Sequence, residues 1–134
     1  IYPWILRMFP DIKYVHWVRD PRDSIIRGHK TDDLSDFGID YPRTDNLRER
    51  RAISWKYQYD LMKATPKPEN CIHVRFEDFV LKQEETLQRL EAFLGFPLGR
   101  VIVRPDSIGR WKTDGEQHTF DFFRDAMDES GYTE

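Results

Sequence analysis

Arg19 closes the run Lys13-Tyr14-Val15-His16-Trp17-Val18 and is followed at once by Asp20-Pro21-Arg22-Asp23-Ser24. That order suits the binding of an anion. Ligands of open α/β sheets sit beyond the carboxyl ends of the strands, and a helix starting there offers N–H groups and a positive dipole end. Arg19 could add a bidentate guanidinium fork for a phosphate, and Ser24 or Arg27, one turn in, could complete the cradle. The same residues also read as an ordinary strand-to-helix turn with a capping Asp and charges in water.

Two further stretches carry suitable residue types. In Val74-Arg75-Phe76-Glu77-Asp78-Phe79, Phe76 could stack on a flat ring such as adenine or serve as plain core. Glu77 and Asp78 could exchange protons, or cap a following helix. Arg104-Pro105-Asp106-Ser107-Ile108-Gly109-Arg110-Trp111-Lys112 gathers cations, a hydroxyl, a glycine and a tryptophan. Such a loop could close over a phosphorylated ligand, or be a solvated basic loop with Trp111 pinned into the core.

These stretches need elements to position them. Residues 13–18 and 71–76 read as strands, rich in β-branched and aromatic residues. Asp20 as N-cap and Pro21 at the first helical position start a helix that carries Ser24, Ile25, Ile26 and Arg27. Residues 31–43 read as a long loop. Ala52, Trp55, Tyr59 and Met62 recur at helical spacing in a helix from about 45 to 63. The run Arg48-Glu49-Arg50-Arg51 near its start reads as a solvated face. Leu87, Leu90 and Leu94 mark another helix, which Gly95 and Pro97 stop. Thr113-Asp114-Gly115-Glu116 has the spacing of a capping box and predicts a last helix with Phe120, Phe123 and Met127. Two strands among four helices predict an α/β fold with parallel pairing. Two strands do not make a stable sheet alone, so further strands are expected from an unseen part of the protein, from short strands or from a partner chain.

The 134 residues fit one domain, spanning 1–134. Lys and Arg number 21 and Asp and Glu 24, a net charge of −3 that argues against a nucleic-acid partner. Aromatics reach 14%, which disordered chains lack. The single cysteine, Cys71, excludes an internal disulfide framework, and the four histidines lack the spacing of a metal site, so no metal is expected. No apolar run approaches the ~20 residues of a membrane span.

In combination, the stretches resemble the P-loop-like sulfotransferases. Arg19-Asp20-Pro21-Arg22-Asp23 is similar to that family's 3′-phosphate element. Val74–Phe79 with Phe93-Leu94-Gly95-Phe96-Pro97-Leu98 resembles its "YEDL … FLG-x-P" stretch, and Ser107–Lys112 its late "GxW(K/R)" loop. Trp55 lies where the family has a tryptophan-bearing helix, and the resemblance spans roughly residues 9–124. It implies a three-layer fold, a central parallel sheet flanked by helices. It also implies transfer of a sulfuryl group from 3′-phosphoadenosine-5′-phosphosulfate (PAPS) to a hydroxyl or amine, leaving 3′-phosphoadenosine-5′-phosphate (PAP). Arg19 would then grip the 3′-phosphate, Phe76 would lie near adenine, and Arg104, Ser107 and Arg110 would finish the 3′-phosphate site.

Two departures follow. Eight residues beyond Arg19 the family has a serine, where this chain has Arg27; either Arg27 replaces that hydroxyl or Ser24 takes its part. The "PKSGTTW"-type loop that holds the 5′-phosphosulfate, and the usual catalytic His or Glu, would precede residue 1. His16 and His29 match no catalytic position. The resemblance therefore implies the C-terminal part of a sulfotransferase, carrying the adenine and 3′-phosphate half of the donor site and inactive or nearly so alone. The alternatives are a non-catalytic module that pairs with a second copy through an exposed sheet edge, and another α/β nucleotide-binding protein such as a kinase relative. Nothing in residues 31–43 or 124–134 identifies the acceptor, and the compartment is open, the single Cys71 permitting the cytosol.

Overall fold

A computed structural model describes residues 2–132. In chain order the elements are α1 (Tyr2–Met8), β1 (Tyr14–Val18), α2 (Pro21–Ser24), α3 (Leu47–Ala64), β2 (Cys71–Arg75), α4 (Phe76–Leu81), α5 (Gln83–Leu94) and α6 (Arg124–Glu129). Short 3-10 turns cover Leu34–Phe37, Pro105–Ser107, Arg110–Thr113 and Asp121–Phe123. These elements fall into two compact units. The first takes the chain up to Arg19 together with Ala64–Ser107; the second takes Asp20–Lys63 and everything from Ile108 onward.

In the first unit β1 and β2 pair in parallel, from Tyr14 opposite Cys71 to Val18 opposite Arg75. This is the α/β arrangement with parallel pairing that the sequence predicts. Side chains alternate across a strand, so Val15, Ile72 and Val74 can share one face. They pack with Phe79, Leu87, Leu90 and Leu98 into an apolar cluster. Leu87 and Leu90 lie on one stripe of α5, as their spacing requires. Gly95 ends that helix in the left-handed region, at φ 89°. The segment beyond it is tied back by charge. The Leu98 amide donates to Glu91 at 2.9 Å, and the Arg100 guanidinium spans Glu91 at 2.6 Å and Glu84 at 2.9 Å. The Leu98 amide and Arg100 hold the Glu91 carboxyl below the usual carboxylate range, and Arg100 does the same for Glu84.

The alternate strand positions bring His16 and His73 side by side, with their Nδ1 atoms 2.8 Å apart. One proton can sit between two nitrogens at that distance, so one ring donates and the other accepts. Burial is the main cause that lowers both imidazole pKa values; the facing ring and Lys67 add to it at His16, and Lys67, Arg75 and Arg89 at His73. The unfolded chain therefore binds more protons below about pH 6.5, and stability present above that pH is lost as the pH falls towards the folded-state values. The urea midpoint is expected to drop between about pH 7.5 and about pH 5.5, and His16→Gln to shrink that drop. An equal drop in the variant would remove the pair as its cause.

The second unit is built on α3. Asn46 Oδ1 accepts from the Arg48 and Glu49 amides, capping its start. Ala52 is fully buried, and Trp55 meets Phe123 edge-on at 5.3 Å while stacking on Tyr59. Ile25, Phe120, Phe123, Ala126 and Met127 are buried. The expected long loop at 31–43 contains the 3-10 turn Leu34–Phe37, capped by Asp33 on the Ser35 amide and closed by Gly38 at φ 71°.

Four local expectations are corrected here. The first helix stops at Ser24 and does not carry Ile25 to Arg27, because the Ile25 and Ile26 carbonyls are claimed by the Arg48 and Arg51 guanidiniums at 3.0 and 3.1 Å. The Arg48–Arg51 run is not a solvated face: Arg48 is only 5% exposed and Arg51 pairs with Asp32 at 3.1 Å. Thr113–Glu116 is not a capping box, since Asp114 and Glu116 bind Arg48 at 2.7 and 2.9 Å instead. The last helix accordingly starts only at Arg124, after the 3-10 turn Asp121–Phe123. Glu77 and Asp78 lie inside the first turn of α4, and the cap position falls to Arg75.

Candidate functional site

Strand register places the first part of the site. Val18 faces Arg75, so the next residues along the two strands, Arg19 and Phe76, come opposite each other where both strands end. The Arg19 guanidinium lies over the Phe76 ring, 4.6 Å from its centroid. Its Nη2 donates to the Ser107 carbonyl at 2.5 Å. Ser107 closes a 3-10 turn whose amide donates back to the Arg104 carbonyl at 2.9 Å. The Ser107 hydroxyl is buried and makes no hydrogen bond among the described residues. Arg104 is exposed, and its side chain makes no ion pair there. An arginine fixed between an aromatic face and a carbonyl, with an unused buried hydroxyl on the same turn, can receive an oxyanion beside a flat ring.

The second unit holds Ser24, Arg27 and Arg110. The N–H groups that open α2 are not available to an anion, contrary to the sequence expectation. Asp20 Oδ1 takes the Arg22 amide at 2.9 Å, and the Asp20 carbonyl takes the amides of Asp23 and Ser24. The four-residue helix is satisfied from within. Ser24 Oγ also donates to the Asp20 carbonyl, at 3.0 Å, so its proton is not offered outward. Arg27 is exposed and lines an open hollow of about 310 Å³ with His29, Thr31 and Gln58. Arg110 is half-buried, and its Nε is buried without a hydrogen-bond partner among the described residues.

Two residues of this unit escaped the sequence reading. Asp23 and Arg22 are buried, where charges in water were the expectation. Asp23 accepts the Gly109 and Trp111 amides, and Arg22, paired with Asp20 at 2.8 Å, lies 3.9 Å over the Trp111 ring. No local signal marks Asp23, because its partners are 86 and 88 positions away. Trp111 is half-buried under this cation rather than sunk in an apolar core.

The model of the sulfotransferase family matches residues 2–100, and the chain belongs to that family. The match takes in Arg19, Ser24, Arg27 and Phe76 and ends before Arg104, Ser107 and Arg110. No curated protein and no solved structure matches significantly. Family membership brings a sulfuryl donor and an acceptor with it. Among the described residues no helix is long and apolar enough to cross a membrane.

Proposed function

We propose that the chain acts as one sulfotransferase-like domain over residues 1–134 and holds the adenine and 3′-phosphate half of a PAPS site. PAPS would supply the sulfuryl group, an unidentified hydroxyl or amine would accept it, and PAP would leave. The observation that carries this reading is the Arg19 guanidinium seated between Phe76 and the Ser107 turn, with the Ser107 hydroxyl buried and unused. In this reading Arg19 grips the 3′-phosphate, Ser107 donates its hydroxyl to a phosphate oxygen, and Phe76 lies along the adenine. Arg104, exposed on the same turn, adds charge. Arg27, Ser24 and Arg110 enter by the resemblance. Of the first two, Arg27 suits a dianion better, because the Ser24 proton is committed to the Asp20 carbonyl.

Calorimetric titration with PAP, ADP and AMP tests this. PAP is expected to bind most tightly. Arg19→Ala is expected to weaken PAP about ten- to a hundredfold, the worth of a charge-assisted hydrogen bond, and to leave AMP little changed. Equal binding of PAP and AMP, or an Arg19→Ala variant that binds PAP normally, would overturn the reading.

A second reading is a module that pairs with another copy of itself. Exposed apolar side chains in the first unit favour it: Trp4, Met8 and Phe9 are each more than half exposed, and Ile102 is 98% exposed. Such a module would bind none of the three nucleotides and would show a mass that rises with concentration.

A further inference from the structure

We propose that His16 and His73 form a site for one divalent transition-metal ion that takes its ligands at right angles, Cu2+ or Ni2+. Both residues belong to the first unit, and the parallel register sets His16 directly opposite His73. Side chains alternate across a strand, so the two rings stand on the face away from Val15, Ile72 and Val74 and the apolar cluster they join. Their Nδ1 atoms are 2.8 Å apart and their ring centroids 4.7 Å apart, with 65° between the ring planes. His73 is exposed and His16 half-buried, so an ion reaches both from solvent. Sequence spacing hides this site: 57 positions separate the two rings, and only the pairing of the strands makes them neighbours.

The distance between the nitrogens selects the ion. Two nitrogens held about 2.0–2.1 Å from one metal lie about 2.8–3.0 Å apart when the ligand angle is 90°, and about 3.3–3.4 Å apart in a tetrahedron. The pair is set for the right angle, which Cu2+ and Ni2+ prefer, rather than for the tetrahedron of Zn2+. Imidazole suits these ions, whereas Ca2+ and Mg2+ ask for oxygen ligands. Among the described residues no group of three or more His, Cys, Asp or Glu gathers, so water fills the remaining positions on the ion. With both rings neutral, the donating ring carries its hydrogen on Nδ1. On binding, that hydrogen moves to Nε2 of the same ring, both Nδ1 lone pairs face the ion, and no proton is lost overall. Lys67, Arg75 and Arg89 lie near enough to act on the pair and repel a dication, so it is nitrogen ligation and not surface charge that holds it.

Calorimetric titration of the chain with Ni2+, which the Cys71 thiol does not reduce, tests the site beside Zn2+ and Ca2+. One Ni2+ per chain is expected, bound more tightly than Zn2+, with Ca2+ not bound. His16→Gln and His73→Gln each leave a single nitrogen and are expected to weaken Ni2+ about ten- to a hundredfold, while His118→Gln leaves it unchanged. A second readout needs no variant. The rings meet only in the folded chain, so Ni2+ at about ten times its Kd is expected to raise the urea midpoint of the wild type, and to move that of His16→Gln much less. A wild-type midpoint that Ni2+ does not raise, or Ni2+ affinity within about twofold of the wild type in both histidine variants, would overturn the site and leave an adventitious ion only. Tighter binding of Zn2+ than of Ni2+ would overturn the right-angle geometry, and Ca2+ binding of similar strength the nitrogen ligation.

Discussion

Arg48→Met is expected to lower the free energy of unfolding by about 3–5 kcal/mol, the cost of stranding the partner of a buried ion pair. Arg48 leaves α3 with its side chain 6% exposed. It donates from Nη2 to Asp114 at 2.7 Å, from Nη1 to the Ile25 carbonyl at 3.0 Å, and from Nε and Nη2 to Glu116 at 3.1 and 2.9 Å. The Glu116 side chain is mostly in water, so its pairing contributes little. The weight falls on Asp114, which is largely enclosed, and on the carbonyl, which has no N–H from a continuing helix. Methionine keeps the aliphatic stem and deletes every donor. Asp114→Asn placed beside Arg48→Met is expected to recover part of the loss, since it removes the stranded charge. Urea unfolding of the wild type and the two variants measures this. A single Arg48→Met variant within about 0.5 kcal/mol of the wild type would return the run 48–51 to the solvated-face reading.

Phe123→Ala is expected to cost about 3–5 kcal/mol as well, by a different mechanism. Phe123 is wholly buried, the largest such side chain in its unit. Its ring meets Trp55 at 5.3 Å, Phe122 at 5.3 Å and Phe120 at 5.7 Å, each near edge-to-face. Deleting it removes apolar area and leaves a cavity whose walls are rigid rings. These collapse poorly, which puts the cost at the upper end of large-to-small changes. Phe123→Leu fills much of the same space and is expected to lose less than half as much. A loss in Phe123→Ala no greater than in Phe123→Leu would mean the pocket closes by itself.

The elements read correctly from the sequence are those with local causes. The β-branched and aromatic run at 14–18, the apolar spacing 52, 55, 59, 62 and the stop at Gly95 each depend on neighbours within a few residues. The misreadings share one origin. Asp114 and Glu116 look like a helix start until Arg48, 66 and 68 positions away, takes both carboxylates. The helix at Pro21 looks longer until Arg48 and Arg51 take its carbonyls. Charged residues in R-D-P-R-D read as solvated, yet Asp23 binds a loop far along the chain. The site divides in the same way. Arg19 and Phe76 were legible because each directly follows a strand, and strand register then sets them opposite each other. The contacts of Asp23 lie on a distant loop and left no local trace.

The parallel pairing of β1 with β2 also sets a timetable. Each residue of β1 finds its partner 57 positions later. Closing a chain of that length costs about 3–4 kcal/mol in its length-dependent part before any ladder bond forms. Helix α3, in between, forms from local contacts within microseconds, whereas the strand pair has to wait for its second half. On a ribosome adding about 5–20 residues each second, Tyr14–Val18 is finished roughly 3–11 s before its partner strand exists. Arg19 and Phe76 have that same separation, so the Arg19 guanidinium acquires its aromatic floor in the step that closes the sheet.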